Sequence, residues 1–312
     1  MGRFAPSPTG SLHLGSLTTA VASYLDARAH GGRWIVRVED LDTPRVQPGK
    51  ADEILRTLEA HGLEWDGPVI YQSRRREVYQ AGYDRLRALG RLYPCVCSRR
   101  VMQSESPGEP YSGRCRTRVF EESAAQGFAT RLRLPTGASA CWQDRFLGPQ
   151  NFTAARIGDV ILRRRDGIFA YHFAVVVDDA AQGVTSIVRG SDLLSATAWQ
   201  ILIQRELGLP EPAYGHTPIL TETDGSKLAK SRRSTALGMA DATQQLVFAL
   251  GVLGQPPPVE LRGAPPRELL DYAGRAWNPA RFQGIQEVPL AKNFVPGGGC
   301  TKVCGKPAYG GM

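Results

Sequence analysis

The fold of this chain is decided by the stretch Pro6-Ser7-Pro8-Thr9-Gly10, with His13-Leu14-Gly15-Ser16 close behind it. A short strand is predicted before it at residues 3–5, and an alanine-rich helix from Leu12 to Ala29. The strand Trp34–Val38 and the helix Asp52–His61 come next. This strand–helix–strand–helix order predicts an α/β fold, a Rossmann-like domain with a parallel sheet and right-handed crossovers.

A second informative segment is Lys227-Leu228-Ala229-Lys230-Ser231, which also follows a predicted strand. Taken alone, the first segment also fits a proline–glycine turn before a helix, and the second also fits a solvated basic loop. Taken together, they predict a site for the phosphates of ATP. Backbone N–H groups at the helix start would face the anion, and Lys227 and Lys230 would reach it from the other half of the domain.

Composition indicates a globular protein with room for two domains, since the chain has 312 residues, of which 42% are hydrophobic and 22% charged. The net charge of +8 favours a polyanionic partner. The basic residues form four clusters: Arg74–Arg76, Arg99-Arg100, Arg163–Arg165 and Arg232-Arg233. Each cluster alone also fits a solubilising surface. Because they accompany a predicted nucleotide site, they favour RNA as the partner.

The sequence argues against a membrane protein. The longest apolar run, Phe173–Val177, is too short to span a bilayer, and no secretory apolar segment follows Met1. We therefore expect a cytoplasmic location with no membrane partner. The six cysteines are then expected to be reduced, so that clustered cysteines are better candidates for metal ligands than for disulfides.

The pattern changes between Tyr93 and Asp179, where we predict an inserted mixed α+β region. Short strands are predicted at Thr130–Leu134, Asp159–Arg163 and Ala170–Val177, with a hairpin turn at Asp166-Gly167 between the last two. Three cysteines open the region, whereas Cys141 stands alone and is interpreted as a core residue.

The α/β pattern resumes after the insertion with strand Thr185–Arg189, helix Ser195–Leu207 and strand Thr217–Leu220. Mostly helical patterns follow over residues 236–288, and the glycine-rich end from Pro296 is expected to be disordered. Five segments are predicted: the first half of the Rossmann-like domain, the inserted region, the second half with the lysine loop, a helical region and a tail. They cover residues 1–92, 93–179, 180–235, 236–290 and 291–312.

Several side chains are placed where a substrate would bind. His13, in the first helical turn, is a candidate donor to a phosphate oxygen, and Gly15 would let an adenine approach the backbone. Glu39 follows a buried strand and suits an amino group, although a helix-capping role fits it equally well. Arg3 and Arg189 lie in predicted strands, and arginine forks bind carboxylates. With the hydroxyl of Tyr171, this set would suit an acidic amino acid.

A cysteine cluster marks the start of the insertion: Cys95, Cys97 and Cys115 lie close in sequence, and no histidine falls between 95 and 115. A structural zinc needs four ligands, and Tyr111 is the natural fourth donor if a metal is bound. Phenolate is an uncommon ligand, so the spacing alone leaves open both a zinc site and a small core of reduced thiols.

These segments as a set resemble class I aminoacyl-tRNA synthetases of the glutamyl type. Residues 3–10 with His13-Leu14-Gly15-Ser16 resemble the HIGH signature, and residues 227–231 resemble the KMSKS loop with Ala229 in place of its first serine. Residues 37–42 and 189–193 resemble two further blocks, the second of which lines the amino-acid pocket. The resemblance covers roughly residues 3–285.

The chain ends soon after Ser231, where a glutamyl-tRNA synthetase continues into a long anticodon-binding region. It therefore resembles the short paralogous family, the glutamyl-queuosine tRNA(Asp) synthetases, and residues 171–179 match the pocket segment of that family. This resemblance implies a structural Zn²⁺ on Cys95, Cys97, Tyr111 and Cys115. It also implies activation of L-glutamate by ATP with Mg²⁺, and transfer to queuosine in the anticodon loop of tRNA(Asp). We expect a monomer.

The resemblance also implies roles for individual residues. His13, Lys227 and Lys230 are expected to act in catalysis on the phosphates. ATP is expected to contact His13, Gly15, Ser16 and Lys230, and glutamate to contact Arg3, Phe4, Ala5, Pro6, Ser7, Glu39, Tyr171 and Arg189. Two alternatives remain open, a truncated glutamyl-tRNA synthetase that charges a tRNA 3′ end and a non-catalytic RNA-binding relative.

Overall fold

In the computed structural model of the chain, residues 1–98, 110–119, 127–222 and 236–290 are described. A parallel sheet forms from β1 (Gly2–Phe4), β2 (Trp34–Val38) and β3 (Ile70–Tyr71). Later in the chain, β9 (Ser186–Gly190) and β10 (Ala213–Thr217) pair in parallel. The Met1 carbonyl accepts hydrogen bonds from the N–H groups of Thr185 (3.0 Å) and Ser186 (3.1 Å), so β9 lies beside β1. The two halves of the predicted Rossmann-like domain therefore meet at β1 and β9.

Helix α1 (Leu14–Ala29) packs on this sheet, as predicted from the first stretch. Its Leu17, Val21 and Leu25 are fully buried, as is Trp34 of β2. The Trp34 indole donates to the Ser23 hydroxyl (3.0 Å), which ties the helix to the strand. Burying a large aromatic side chain contributes about 2–3 kcal/mol, so this contact helps to hold the middle of α1 against the start of β2. Helices α2 (Lys50–Ala60) and α3 (Arg76–Ala88) follow.

The inserted region is built on antiparallel strands. Strands β4 (Leu92–Cys95), β5 (Ala129–Leu132) and β8 (Ile161–Arg163) form one sheet. The hairpin of β6 (Ser139–Asp144) and β7 (Gly148–Thr153), with the short helix α4 (Ala154–Ile157) after it, was not predicted. The prediction that Cys141 is a core residue is wrong, because Cys141 is on the exposed face of β6.

The predicted strand Ala170–Val177 is also wrong, because this segment forms helix α5 (Tyr171–Ala181). Residues 173–179 are all buried, so the helix has no polar stripe to reveal its period, and its β-branched residues imitate a buried strand. The predicted turn at Asp166-Gly167 is present, with Gly167 at φ +80°. After the turn, however, no second strand forms, and Phe169 makes a single isolated β-bridge with Arg163. The helix continues past residue 179, where the sequence placed the end of the insertion.

Helix α6 (Leu194–Leu207) follows β9, and α7 (Ala242–Val252) and α8 (Pro266–Arg275) pack on the outer side of α1. The predicted strand Thr217–Leu220 is divided, since β10 ends at Thr217 and β11 (Ile219–Thr221) begins after Pro218. β11 pairs in parallel with β12 (Glu287–Pro289), a strand in the region predicted to be mostly helical.

Some of the sequence-based predictions lie outside the described residues. These are the lysine loop 227–231, the clusters Arg99-Arg100 and Arg232-Arg233, and the tail after residue 290. Within the parts of the chain that the structure describes, no helix combines the length and the apolar character needed to cross a bilayer.

Candidate active site

A cavity of about 230 Å³ opens where β1, β9 and the start of α1 come together. Its walls include the loop after β1, the first turns of α1 and the residues after β9. Ten of the predicted site residues line it: Arg3, Phe4, Ala5, Pro6, Ser7, His13, Gly15, Ser16, Tyr171 and Arg189. Ligands of parallel α/β sheets bind at this edge, beyond the carboxyl ends of the strands.

His13 caps the N-terminus of α1. Its Nδ1 accepts a hydrogen bond from the Ser16 N–H (3.3 Å), and the Ser16 hydroxyl in turn accepts from the His13 N–H (2.8 Å). Because Nδ1 is an acceptor in this cap, the ring proton of a neutral His13 is on Nε2. His13 therefore makes a local hydrogen bond with Ser16, and the N–H of its ring is on Nε2, at a helix N-terminus where anions are favoured.

The two predicted arginines lie on neighbouring strands of the cavity wall and are almost fully buried. Nε of Arg3 pairs with Asp179 (3.3 Å). Nε of Arg189 donates to His216 Nε2 (3.3 Å), and its Nη2 donates to the Thr197 hydroxyl (2.7 Å). Its third nitrogen, Nη1, is buried without a hydrogen-bond partner. A buried guanidinium N–H without an acceptor is costly, so this atom indicates a ligand with an anionic oxygen.

Glu39 lies close to the cavity but is not part of its described lining. Its carboxylate accepts from Nη2 of Arg37 (3.3 Å), and Arg37 also binds Asp179 (2.8 Å). Burial raises the pKa of Glu39 to about 7, although the charges of Arg37 and Arg3 oppose the rise. Burial also disfavours the charged form of Asp179, but Arg37 and Arg3 outweigh it and hold the pKa of Asp179 below its usual range. The site thus keeps one firmly ionised carboxylate and one that titrates near neutrality.

The predicted cysteine cluster forms in the insertion. The sulfur atoms of Cys95, Cys97 and Cys115 lie within 4.8 Å of one another, and all three residues are buried. The Tyr111 hydroxyl accepts from the Cys115 N–H (3.0 Å) and is 3.5 Å from the Cys95 sulfur. Nε of Arg131 donates to the Cys95 sulfur (3.2 Å), and its guanidinium is 3.8 Å from the centre of the Tyr111 ring.

This donor set fits a tetrahedral metal ion. Sulfurs that share a zinc ion at about 2.3 Å must lie roughly 3.5–4 Å apart. The distance between the Cys97 and Cys115 sulfurs is 3.6 Å. A cation beside a cluster of thiolates also compensates their negative charge, which is the position that Arg131 occupies. The three cysteines could therefore hold a metal, with Tyr111 as the nearest oxygen donor.

Comparison with known proteins shows the family of the chain. A model of the class I tRNA synthetase (E and Q) catalytic domain matches residues 1–252. A protein of Thiobacillus denitrificans named glutamyl-Q tRNA(Asp) synthetase is 51% identical over 93% of this chain and 95% of its own length. A protein of the same name from Ectopseudomonas mendocina is 49% identical over 90% of this chain and 94% of its own length.

The chain belongs to the glutamyl-Q tRNA(Asp) synthetase family of class I synthetases. The fold is also that of a glutamate-tRNA synthetase from Elizabethkingia anophelis, which superimposes with a TM-score of 0.76 at 24% identity. That likeness covers 93% of this chain and 68% of the other.

The structure also places residues around the two arginines to which the sequence analysis gave no individual role. Asp144, Thr197 and His216 are buried around Arg189, and Asp179 around Arg3. His216 offered one usable signal, since it precedes the carboxyl end of a parallel strand, as Arg189 does. Asp144 offered none, because it lies in the hairpin of the insertion and reaches the site only through the fold.

Part of the basic surface predicted to face RNA is used within the synthetase itself. Arg163 stacks over Tyr83 and Phe169, with its guanidinium 5.8 and 5.7 Å from the ring centres. Arg164 pairs with Asp42 (3.1 Å) and Asp166 (2.6 Å). Arg75 of another cluster binds the buried Asp178 (2.6 Å). These arginines join the insertion and α3 to the rest of the chain. Their positive charges are partly compensated within the protein, so they contribute less to binding a polyanionic partner.

Proposed function

We propose that the protein activates L-glutamate with ATP and transfers the glutamyl group to queuosine in the anticodon loop of tRNA(Asp). The observation that carries this proposal is Arg189, which lines the cavity and whose buried Nη1 has no hydrogen-bond partner. Together with Arg3, it gives the site a strong preference for a carboxylate. The names of the relatives support the acceptor, and the cavity chemistry supports the amino acid.

Glutamate has two carboxylates, and the site must treat them differently. We assign the side-chain carboxylate to Arg189 and Arg3, because a carboxylate clamped by two guanidiniums is a poor nucleophile. The α-carboxylate is then left to face ATP. Glu39 and Asp179 supply the negative field that favours the substrate ammonium group.

Adenylation follows from this arrangement. The α-carboxylate oxygen forms a bond to the α-phosphorus of ATP, and the bond from that phosphorus to the pyrophosphate oxygen breaks. The Nε2–H of His13, at the N-terminus of α1, is a donor for the negative charge that grows on phosphate oxygens. Lys227 and Lys230, outside the described residues, are proposed to bind the leaving pyrophosphate, and Mg²⁺ is proposed to accompany ATP. A ring hydroxyl of queuosine then attacks the mixed anhydride and releases AMP.

We also propose that Cys95, Cys97, Tyr111 and Cys115 hold one zinc ion that stabilises the insertion. The compact set of three sulfurs and one phenol supports this assignment. No proposed chemical step uses this metal, and its ligands do not line the described cavity, so its proposed contribution is to the folding of the region that carries β4 and β5.

The first experiment measures pyrophosphate exchange into ATP without any tRNA. L-glutamate should drive the exchange, whereas glutamine should not, because its amide cannot satisfy two arginines. Aspartate should also fail, because its shorter side chain cannot reach Arg189 while its α-carboxylate faces ATP. Equal exchange with all three amino acids would contradict the glutamate assignment.

The second experiment locates the acceptor. Labelled glutamate is offered with tRNA(Asp) that carries or lacks queuosine, and the product is then cut in the anticodon loop. The label should remain with the anticodon fragment and should be absent when queuosine is absent. Label on the 3′-terminal fragment, independent of queuosine, would instead identify the protein as a short glutamyl-tRNA synthetase.

The pKa of Glu39 predicts a pH dependence for glutamate binding. Since burial raises this pKa to about 7, the carboxylate is ionised above that pH and protonated below it. Loss of its charge weakens the attraction for the substrate ammonium group, so KM for glutamate should rise as pH falls, by up to roughly tenfold per pH unit below 7.

The measurement compares KM for glutamate at about pH 6 and about pH 8, with saturating ATP, in the wild type and in Glu39→Gln. The variant should show a raised KM at the higher pH and a flat profile between the two. A profile of unchanged slope in Glu39→Gln would assign the titration to another group.

A further inference from the structure

A chain of buried hydrogen bonds runs from the insertion to the cavity. It begins at Asp144 at the end of β6, passes through His216 on β10 and ends at Arg189 on β9. Asp144 Oδ2 bonds to His216 Nδ1, and His216 Nε2 is 3.3 Å from Arg189 Nε. Asp144 and His216 are 1% and 0% exposed, so neither touches solvent or the cavity.

The hydrogen bonds of Asp144 fix which of its oxygens meets the imidazole. Oδ1 accepts from three backbone N–H groups, those of Phe146 (3.1 Å), Leu147 (3.0 Å) and His216 (3.1 Å). Oδ2, which also accepts from the Trp142 indole N–H (3.4 Å), is the oxygen that meets the ring of His216. Burial disfavours the charge on Asp144, but the bonds to His216 and to these N–H groups outweigh it and lower its pKa, so Asp144 is an acceptor.

The proton on His216 follows from its two neighbours. Asp144 is an acceptor and so requires a proton on Nδ1. Arg189 Nε–H is a donor and so requires a lone pair on Nε2. Burial lowers the pKa of His216, with Arg189 adding to the effect against the opposing Asp144, which agrees with a neutral ring. His216 is thus held as the Nδ1–H tautomer.

The tautomer in turn fixes the guanidinium. Nε of Arg189 is held by His216, and its Nη2 by the hydroxyl of Thr197 (2.7 Å). Thr197 also bonds to the Leu193 carbonyl (3.1 Å) and lies 3.0 Å from His216 Nε2. With two of its three nitrogens fixed, the planar fork has one orientation, and its third nitrogen, Nη1, is the one without a partner.

We propose that Asp144 and His216 are positioning residues that aim Nη1 of Arg189 at the substrate carboxylate. This inference rests on the proposed glutamate site but goes beyond it, because it makes a hairpin of the insertion part of amino-acid selection. A buried carboxylate commonly sets the tautomer of a histidine, which then orients a third group. Here the carboxylate is Asp144, the histidine is His216, and the oriented group is the guanidinium of Arg189.

Asp144→Asn tests the proposal by reversing the hydrogen bonds. The three backbone N–H groups hold the amide oxygen in the place of Oδ1, so the amide NH₂ faces His216 Nδ1. The ring must then carry its proton on Nε2, where it meets the N–H of Arg189. We expect KM for glutamate to rise roughly 10- to 100-fold, as for outer partners of metal ligands, with KM for ATP unchanged within about twofold.

A pair of His216 variants provides a second test that does not depend on Asp144. His216→Gln keeps an amide oxygen near the place of Nε2 as an acceptor for Arg189, whereas His216→Leu removes the acceptor. KM for glutamate should be at least about fivefold higher in the leucine variant than in the glutamine variant. Thermal unfolding of each variant separates loss of fold from loss of orientation, and equal KM values for the pair in folded proteins would overturn the proposal.

The tautomer itself can be read without activity. Long-range ¹H–¹⁵N correlation spectra of histidine-labelled protein contain five rings, one of which disappears in His216→Gln and is thereby assigned. That ring should carry its proton on Nδ1 in the wild type and on Nε2 in Asp144→Asn. A ring protonated on Nε2, or on both nitrogens, in the wild type would overturn the inference. Absence of glutamate-driven exchange in the wild type would instead contradict the proposed function. The spectra would then still test whether Asp144 sets the tautomer of His216.

Discussion

Arg189→Met should nearly abolish glutamate-dependent pyrophosphate exchange while leaving the protein folded. Arg189 is 3% exposed and its Nη1 has no hydrogen-bond partner, so its bond to a carboxylate would form away from water. Removing one partner of such a buried charge pair costs about 2–5 kcal/mol, which corresponds to a loss in kcat/KM of roughly 30-fold to several thousand-fold. Exchange at limiting glutamate measures this loss directly.

Two further variants make the Arg189 result specific. Arg189→Lys keeps a positive charge but has no planar fork, so it cannot hold His216, Thr197 and the substrate together; we expect an intermediate loss. Arg87→Met removes an arginine of α3 whose side chain is 68% exposed and pairs only locally with Asp84 (2.6 Å), so exchange should be unchanged. Full activity in a folded Arg189→Met protein would refute the assignment of the substrate carboxylate.

The first half of the catalytic domain was predictable because its signals are local. Strand Trp34–Val38 was placed at its observed bounds, and the predicted α1 began two residues before the observed Leu14. The proline-rich loop and the residues after it line the cavity because the connection from a strand to a helix puts them there. Sequence order alone was enough to bring Arg3, Ser7 and His13 together.

The parts that were missed depend on contacts between distant segments. Helix α5 contains Val175, Val176 and Val177, whose local preference is for strands. Its residues 173–179 are all buried, and its Asp178 and Asp179 bind arginines from distant segments, so tertiary contacts override that local preference. The link from Asp144 to His216 joins an inserted hairpin to the catalytic sheet. No local pattern encodes such a pair, so only the assembled fold reveals what orients Arg189.

The cysteine cluster lies between these two cases. The spacing of Cys95, Cys97 and Cys115 suggested the ligands, and the fold brings their sulfurs within 4.8 Å of one another. The role of Arg131 could not be read from the sequence, because β5 delivers it to the cluster from the next strand. The positive charge of Arg131 beside Cys95 and Tyr111 would offset the cost of burying several anionic ligands together.

Loss of the proposed zinc ion should have the largest effect on stability. Structural zinc contributes roughly 10–16 kcal/mol to the folding of small metal-stabilised units, which is more than a typical domain has to spare. We therefore expect Cys115→Ser to lose its metal and to unfold the insertion at a much lower temperature than the wild type. Elemental analysis together with thermal unfolding measures both effects, and a strong chelator should reproduce them in the wild type.

The chain provides matched controls for the zinc prediction. Cys141→Ser changes an exposed cysteine of the same region and should keep both metal and stability. Cys300 and Cys304, outside the described residues, should both be replaced by serine throughout, so that they cannot bind metal in place of the cluster. Tyr111→Phe should retain zinc on three sulfurs, with lower affinity, if the phenol is the fourth ligand. A well-folded wild type with zinc content near zero would show that the cluster is instead a small core of reduced thiols, and Arg131 would then be paired with Cys95 for packing alone.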